Sequence, residues 1–403
     1  MALKILILTP RIPFPLRDGG SIAMNQSIEA YLEQGCQVSV LSLNTSKHWV
    51  DENDLPPYYQ ALHLFRTVYV RTHINPLSAF FNLFSDKSYH VTRFVNKDVE
   101  KALVSILQKE SFDVIQFESI YTSPYLSLAR LHSKALCVCR VHNIEHKIWQ
   151  HLSEHESSFL KRRYLQLLTS RLKNYEMDIL NQFDHLLTIS NQEKVWLESQ
   201  GISRGYYLPF GVNSHAHLPS VQQDVFSCYH LGSMDWAPNV EGVQWFVEEV
   251  WREGFPEYPA LTLYLAGRNM PASLTSDSKR NLVVLGEIDD ALVFSLSKNI
   301  MLVPLRSGAG IRIKILEAMA LGKTIISTRV GAEGLGLTHG KEILLADSPE
   351  EFRAAILSCI QDPDKAKQMG QEARHYAETY YQTQGMYQHL IQFLSNPSTR
   401  ANA

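Results

Sequence analysis

Short apolar runs recur along the chain without strict alternation, as expected of parallel strands covered on both faces, where neither side of the strand meets water. In the first half these runs are KILILT, QVSVLSL, FDVIQF, ALCVCRV and HLLTIS; in the second they are CYHLG, LTLYLAG, LVVLG, NIMLVPL, KTIIST and EILLA. The segments between them carry helical spacing. Each half therefore predicts an α/β doubly wound parallel sheet.

The chain has 403 residues, more than a usual single domain, and 45% hydrophobic residues supply apolar surface for two cores. The break is expected between Leu208 and Ser220, where LPFGVN gives way to the polar SHAHLPSVQQD. This predicts domains over 1–210 and 211–379, with a final helix at about 380–394. There is no internal repeat, and the tail SNPSTRANA is expected to fray.

One segment carries chemistry. PLRSGAGIRIKILEAMALG, from Pro304 to Gly322, predicts a strand end, a small-residue loop and a helix beginning near Gly310. Gly308, Ala309 and Gly310 let a ligand approach the backbone, and helix-start amides attract anions, phosphate above all. Gly310, Lys314, Glu317 and Leu321 fall on one helical stripe. A lysine suits a diphosphate and a glutamate suits sugar hydroxyls, which together describe a nucleoside diphosphate. The competing reading is an ordinary amphipathic helix with Lys314 and Glu317 as a solvated pair.

The segment resembles the donor-site signature of family 4 glycosyltransferases, retaining enzymes of the GT-B fold, especially those of bacterial polysaccharide assembly. Gly308, Gly310, Arg312, Lys314, the LEAMA run with Glu317, and VGAEGL carry the likeness. The opening unit with Asp18-Gly19-Gly20-Ser21, then LTISNQEKVWL, LPFGVN, YHLGSMDWAPNVEGVQWF and LYLAGRN, follow in the family's order. The resemblance implies two Rossmann-like domains facing a deep cleft, with the last helix crossing back to the first domain. It places the Gly19-Gly20 turn opposite the donor and gives the nucleobase to the Gly286–Ile288 turn. Arg268, Arg306, Arg312 and Lys314 compete for the diphosphate; Lys314 shares a face with Glu317, and Arg312 is favoured by the family pattern. The loop from Gly308 through Ala309 and Gly310 to Ile311 would line the donor. His142, after ALCVCRV, would lie near the reacting sugar or acceptor, with Glu118 as its neighbour and Asn143 and Glu145 on the acceptor side.

The chain also departs from the family. Many relatives carry two glutamates eight positions apart, but Ala309 stands eight before Glu317. Many place Arg and Lys after the second domain's first strand, where this chain has Ser233, Met234 and Asn239, so another cation must act there. The retaining chemistry that the resemblance implies needs little from a protein base, because fixed amides and cations at the departing phosphate lower the barrier.

Two motifs point elsewhere. His142, Glu145 and His146 spell H-x-x-E-H, a zinc-peptidase pattern that requires both histidines on one helix. ALCVCRV ends a strand at about Val141, which leaves His142 outside such a helix. Asp362 and Asp364 form a D-x-D, but Asp362-Pro363 suits a helix cap. No metal or other cofactor is expected, the nucleotide sugar being a substrate.

A net charge of −3 opposes general nucleic-acid binding. Five scattered cysteines suggest no disulfide framework, and no run is long enough to span a membrane, so a cytoplasmic protein is expected. The aromatic segment from Asn75 to Phe94 and a helix with Lys161, Arg162, Arg163, Arg171 and Lys173 could rest peripherally on anionic membrane and meet a lipid-linked acceptor. A solvated helix over core packing is the alternative. Three classes stay open: a sugar transferase, a catalytically silent nucleotide-sugar-binding protein, and a zinc hydrolase at His142 and His146.

Overall fold

The computed structural model describes residues 2–16, 18–73, 82, 85–213, 218–308 and 310–396. The chain forms two compact units, one of residues 1–209 with 384–403 and one of residues 210–383. Ala309, most of the aromatic segment at 75–84 and the tail from 397 lie outside the described residues.

In the first unit the order is β1 (Lys4–Thr9), α1 (Gly19–Glu33), β2 (Gln37–Thr45), β3 (Leu64–Val70), α2 (Lys97–Lys109), β4 (Val114–Glu118), α3 (Leu126–His132), β5 (Leu136–Val141), α4 (Glu145–Glu154), α5 (Phe159–Leu180), β6 (His185–Thr188), α6 (Asn191–Ser199) and β7 (Gly205–Tyr207). The strands make one parallel sheet ordered β3-β2-β1-β4-β5-β6-β7. Along β1, Leu6 and Leu8 enter the core on one face while Ile5 and Ile7 enter the core on the other. That double burial is why the run is apolar throughout. At about 1.5–3 kcal/mol for each large aliphatic side chain removed from water, these central strands contribute much of the unit's stability.

Two strands escape the apolar-run rule. β3 is the sheet edge, with Arg66 and Tyr69 exposed, and β7 has only three residues, all half-buried. The last helix, α12 (Thr383–Ser395), buries Tyr387, Leu390 and Leu394 in the core of this unit, and the Tyr387 ring meets Tyr31 edge-on at 5.1 Å.

The second unit contains β8 (Ser227–Leu231), α7 (Ala237–Trp245), β9 (Thr262–Ala266), β10 (Leu282–Gly286), α8 (Ala291–Ser297), β11 (Ile300–Val303), α9 (Ile313–Ala320), β12 (Thr324–Ser327), β13 (Leu344–Leu345), α10 (Pro349–Gln361) and α11 (Pro363–Tyr380). Its parallel sheet is ordered β10-β9-β8-β11-β12-β13. Asp362 caps α11, accepting from the Lys365 amide at 3.0 Å, with Pro363 in the first turn. All five cysteines are buried and unpaired. Among the described residues no helix is long and apolar enough to cross a membrane.

Candidate functional site

In the second unit the carboxyl ends of three strands meet through three glycines, Gly232, Gly267 and Gly286. A Cβ on Gly267, which sits at φ +148°, would lie 1.8 Å from the Gly232 carbonyl oxygen, so backbone touches backbone there. The Gly267 amide donates to the Gly286 carbonyl at 2.7 Å, tying β9 to β10. Gly286 itself faces open space, and Ile288 beyond it is half-buried. Arg268 is held toward the surface by Asp235, 4.0 Å away, and Asp235 also accepts from Asn269 at 2.6 Å and Ser233 at 2.8 Å.

The loop after β11 turns on Gly308 (φ +115°) and Gly310 (φ +86°). Such backbone cannot belong to a right-handed helix, so α9 starts at Ile313, three residues later than the small residues suggest, with Arg312 as its N-cap. Gly310 therefore stands outside the stripe that holds Lys314 and Glu317. The first helical amides, of Ile313 and Lys314, have no acceptor inside the helix. Gly310 borders open space, whereas a Cβ on Gly308 would strike the Trp236 ring at 2.8 Å.

The candidate cations are placed differently. Arg312 is turned inward: its Nη1 donates to the Gly310 carbonyl at 2.7 Å, and its guanidinium lies 5.1 Å from the Trp236 ring centre. Arg306 is exposed and lies 5.5 Å from the Trp245 ring centre. Lys314 reaches back to the end of β8, where its Nζ donates to Asn239 Oδ1 at 3.0 Å and lies 3.4 Å from His230 Nε2. A Cβ on Gly232 would meet that Nζ at 2.5 Å, so glycine makes room for the ammonium. Among the described residues no carboxylate is within ion-pair distance of Lys314. Burial, aided by the Arg312 charge and opposed by Glu317, pushes its pKa down to about 7.

Glu317, three residues on, keeps solvent access although protein crowds it. That crowding raises its pKa to about 6, with Lys314 pulling the other way. Two ionisable groups that are hemmed in yet reachable by water mark a recess. It offers one cation, the helix-start amides of Ile313 and Lys314 and a carboxylate on the same helix face.

In the first unit Gly19 and Gly20 do not form a free turn; they open α1. Asp18 is the N-cap, its side chain accepting from the Ser21 amide at 3.0 Å, and it pairs with Arg11 from the Pro-rich loop. At Gly20 an added Cβ would crowd the Arg11 and Asp18 side chains, both at 3.2 Å.

His142 follows β5, and its Nε2 lies 2.6 Å from Oε2 of Glu118, the fully buried last residue of β4. Gln116 donates to the other Glu118 oxygen at 2.6 Å, and Tyr31 donates to Gln116 at 2.7 Å. Burial alone would raise the Glu118 carboxyl, but the His142 hydrogen bond and the His142 and Arg140 charges outweigh it and hold it below the usual glutamate value. Ser119, next in the chain, sits at φ +80°, a conformation that costs a non-glycine residue of order 1–3 kcal/mol.

His146 lies elsewhere, on α4, where Glu176 accepts from its Nδ1 at 2.6 Å and from the Glu145 and His146 amides at 2.8 and 3.0 Å. His142 and His146 are thus on different elements, each with its own glutamate, and the H-x-x-E-H geometry fails. Glu145 accepts from Tyr121 at 2.9 Å, and burial beside Glu176 raises it to about 7. Asn143 is half-buried between His142 and α4. The sequence alone gives no role to His230, Trp236, Tyr31 or Glu176, whose partners Lys314, Arg312, Gln116 and His146 are far along the chain, nor to Arg11 or Gln116, whose partners Asp18 and Glu118 are close in sequence but form no recognisable motif with them.

Two family models match, "Glycosyltransferase Family 4" over residues 18–215 and "Glycosyl transferases group 1" over residues 226–362. A Klebsiella pneumoniae relative described as an uncharacterized 44.6 kDa protein in the cps region is 23% identical, over 96% of this chain and 99% of that one. The crystal structure of Anabaena HepE in complex with UDP shares the fold at TM-score 0.67 and 13% identity, covering 98% of this chain and 100% of that one. Sucrose-phosphate synthase from Thermosynechococcus elongatus shares it at TM-score 0.68 and 17% identity, covering 97% and 98%. The chain therefore carries two glycosyltransferase domains, one matched by the family 4 model in the first unit and one by the group 1 model in the second, in the GT-B architecture that these structures share.

Proposed function

We propose that this glycosyltransferase moves a hexosyl group from a nucleoside-diphosphate sugar to a hydroxyl of a glycan or lipid-linked acceptor, with retention and without a divalent metal, in surface-polysaccharide assembly. The observation that carries the reading is Lys314. An ammonium is hemmed in at a strand end, bonded to neutral partners and, among the described residues, outside ion-pair distance of any carboxylate, beside loop backbone that is open at Gly310. A diphosphate supplies the missing counter-charge. Glu317, on the same helix face, accepts from ribose hydroxyls. UDP bound to Anabaena HepE and the cps-region relative support the donor class and the setting.

As the glycosidic bond breaks, charge gathers on the departing diphosphate. The Lys314 ammonium and the Ile313 and Lys314 amides meet it there, which lowers the barrier by stabilisation that grows toward the transition state. The acceptor hydroxyl then passes its proton to a departing phosphate oxygen. Glu118, His142 and Asn143, at strand ends of the first unit, and Glu145, at the start of α4, take the sugar and acceptor side; Arg268 and Arg306 shape the rim of the donor recess, and Arg312 braces its loop at Gly310. Peripheral contact with anionic membrane brings a lipid-linked acceptor within reach; Phe159 and Leu160, 68% and 79% exposed beside Lys161 and Arg163, support this.

Turnover of a panel of nucleotide sugars tests the proposal. Lys314→Ala is expected to lower kcat by about 10²–10³, the usual cost of one preorganised donor at a developing anion, and Glu317→Ala to raise KM. Nucleotide binding by the parent protein without turnover of any donor would instead indicate a silent binding protein.

A further inference from the structure

Lys314 has three N–H bonds to place. One goes to Asn239 Oδ1 at 3.0 Å and a second faces His230 Nε2 at 3.4 Å. Both acceptors are anchored on backbone. Asn239 donates to the Ser233 carbonyl at 2.7 Å, and His230 Nδ1 lies 2.9 Å from the Leu302 carbonyl on the neighbouring strand. A carbonyl only accepts, so Nδ1 carries the ring hydrogen and Nε2 turns a lone pair toward the ammonium. His230 is 1% exposed, and both burial and the Lys314 charge oppose a second ring proton.

Resting on the reading of this recess as a nucleoside-diphosphate site, we infer that His230 is a positioning residue. Its fixed tautomer accepts one Lys314 N–H from within the sheet and leaves the remaining N–H for a diphosphate oxygen. Together with Asn239 it lets a lysine supplied by α9 stand at the end of β8, where the chain itself offers Ser233 and Asn239 rather than a cation.

The groups facing Lys314 are His230 from β8, Asn239 from α7, and Arg312 and Glu317 from α9. Because the free ammonium titrates at about 7, a bound diphosphate draws a proton onto it at higher pH. Loss of the His230 acceptor removes a partner of the charged form and moves that titration to lower pH.

The test is calorimetric binding of UDP and GDP to the full-length protein between pH 6 and 9, with uridine as the phosphate-free control. For the parent, diphosphate affinity is expected to fall above pH 7 by up to about tenfold per pH unit, the limit for one linked proton. His230→Leu should bind about tenfold more weakly at pH 7.5, the loss expected for one hydrogen bond to a charged group, with its midpoint at lower pH. His230→Gln, which keeps an acceptor oxygen, should restore the parent's midpoint. A folded His230→Leu protein with the parent's affinity and pH profile would overturn the assignment. Should the leucine variant unfold, His230→Gln decides: a parental profile supports the role, and lost diphosphate affinity in a folded protein overturns it. Failure of the parent to bind either nucleotide would instead remove the donor-site reading itself.

Discussion

Glu118 and His142 meet at 2.6 Å across neighbouring strand ends, Oε2 to Nε2. An ionised carboxylate only accepts, so Nε2 carries a hydrogen and Nδ1 is the ring nitrogen that this contact leaves over. Gln116 and Tyr31 brace the carboxylate from behind, which makes the ring orientation a property of the sheet rather than of the loop.

Glu118→Gln should therefore impair transfer without emptying the donor recess. A charge-assisted hydrogen bond is worth about 1.5–3 kcal/mol, so kcat is expected to drop roughly ten- to hundredfold while UDP affinity holds. The same carboxyl carries a pH signature. Its folded pKa is depressed, so its stabilisation is full above the unfolded value of about 4.3 and is lost as pH falls through the folded one. Thermal melts from pH 6 to 3 should show the gap between parent and variant closing in acid; a constant gap would contradict the assignment.

Two carboxylates near Glu176 in the first unit, Glu145 on α4 and Glu193 on α6, have the opposite sign. Burial raises Glu145 to about 7 and Glu193 to about 8, with Glu176 adding repulsion in both cases. The folded state then holds protons that the unfolded state releases, so these groups erode stability as pH climbs from the ordinary carboxylate range to about 8. Glu193→Gln should raise Tm at pH 8 more than at pH 5, by about 2–4 °C if 1 kcal/mol is recovered. Scanning calorimetry at both pH values checks it.

The sheets were legible because their strands are buried on both faces: eleven apolar runs marked eleven of the thirteen strands among the described residues. β3 was missed because an edge strand keeps polar residues such as Arg66 on show, and β7 because three residues make no pattern. Lys314 and Glu317 could be paired by helical spacing, but the start of α9 depended on the positive φ of Gly308 and Gly310, which a glycine permits and does not announce. His230 and Asn239 stand 84 and 75 positions from Lys314, so only the fold brings them to its ammonium.

Membrane contact should localise to the start of α5. Phe159 and Leu160 are exposed side by side, and residues 147–173 carry six Lys or Arg against two Glu in a chain of net charge −3. Each cation near an anionic surface contributes about 1 kcal/mol. Flotation with phosphatidylglycerol vesicles should show salt-sensitive binding that Phe159→Ser with Leu160→Ser weakens, leaving UDP affinity unchanged. Equal flotation of both proteins would remove this surface from the account.

Gly267 and Gly310 both have positive φ but differ in what surrounds them, which separates strain from collision. At Gly310 an added Cβ meets nothing within 4 Å, so Gly310→Ala costs only the left-handed backbone penalty, about 1–2 kcal/mol. At Gly267 the same Cβ would lie 1.8 Å from the Gly232 carbonyl oxygen, and backbone cannot swing aside as a side chain does. Gly267→Ala must push β8 and β9 apart where Gly232 shelters the Lys314 ammonium. It is expected to destabilise the second unit by more than the roughly 1–3 kcal/mol of ordinary overpacking and to abolish nucleotide binding. Denaturant melts and UDP titrations of the two variants decide the matter. Near-parental stability in Gly267→Ala would mean that the two strand ends are not in contact, and the ammonium would lose the backing that holds it in place.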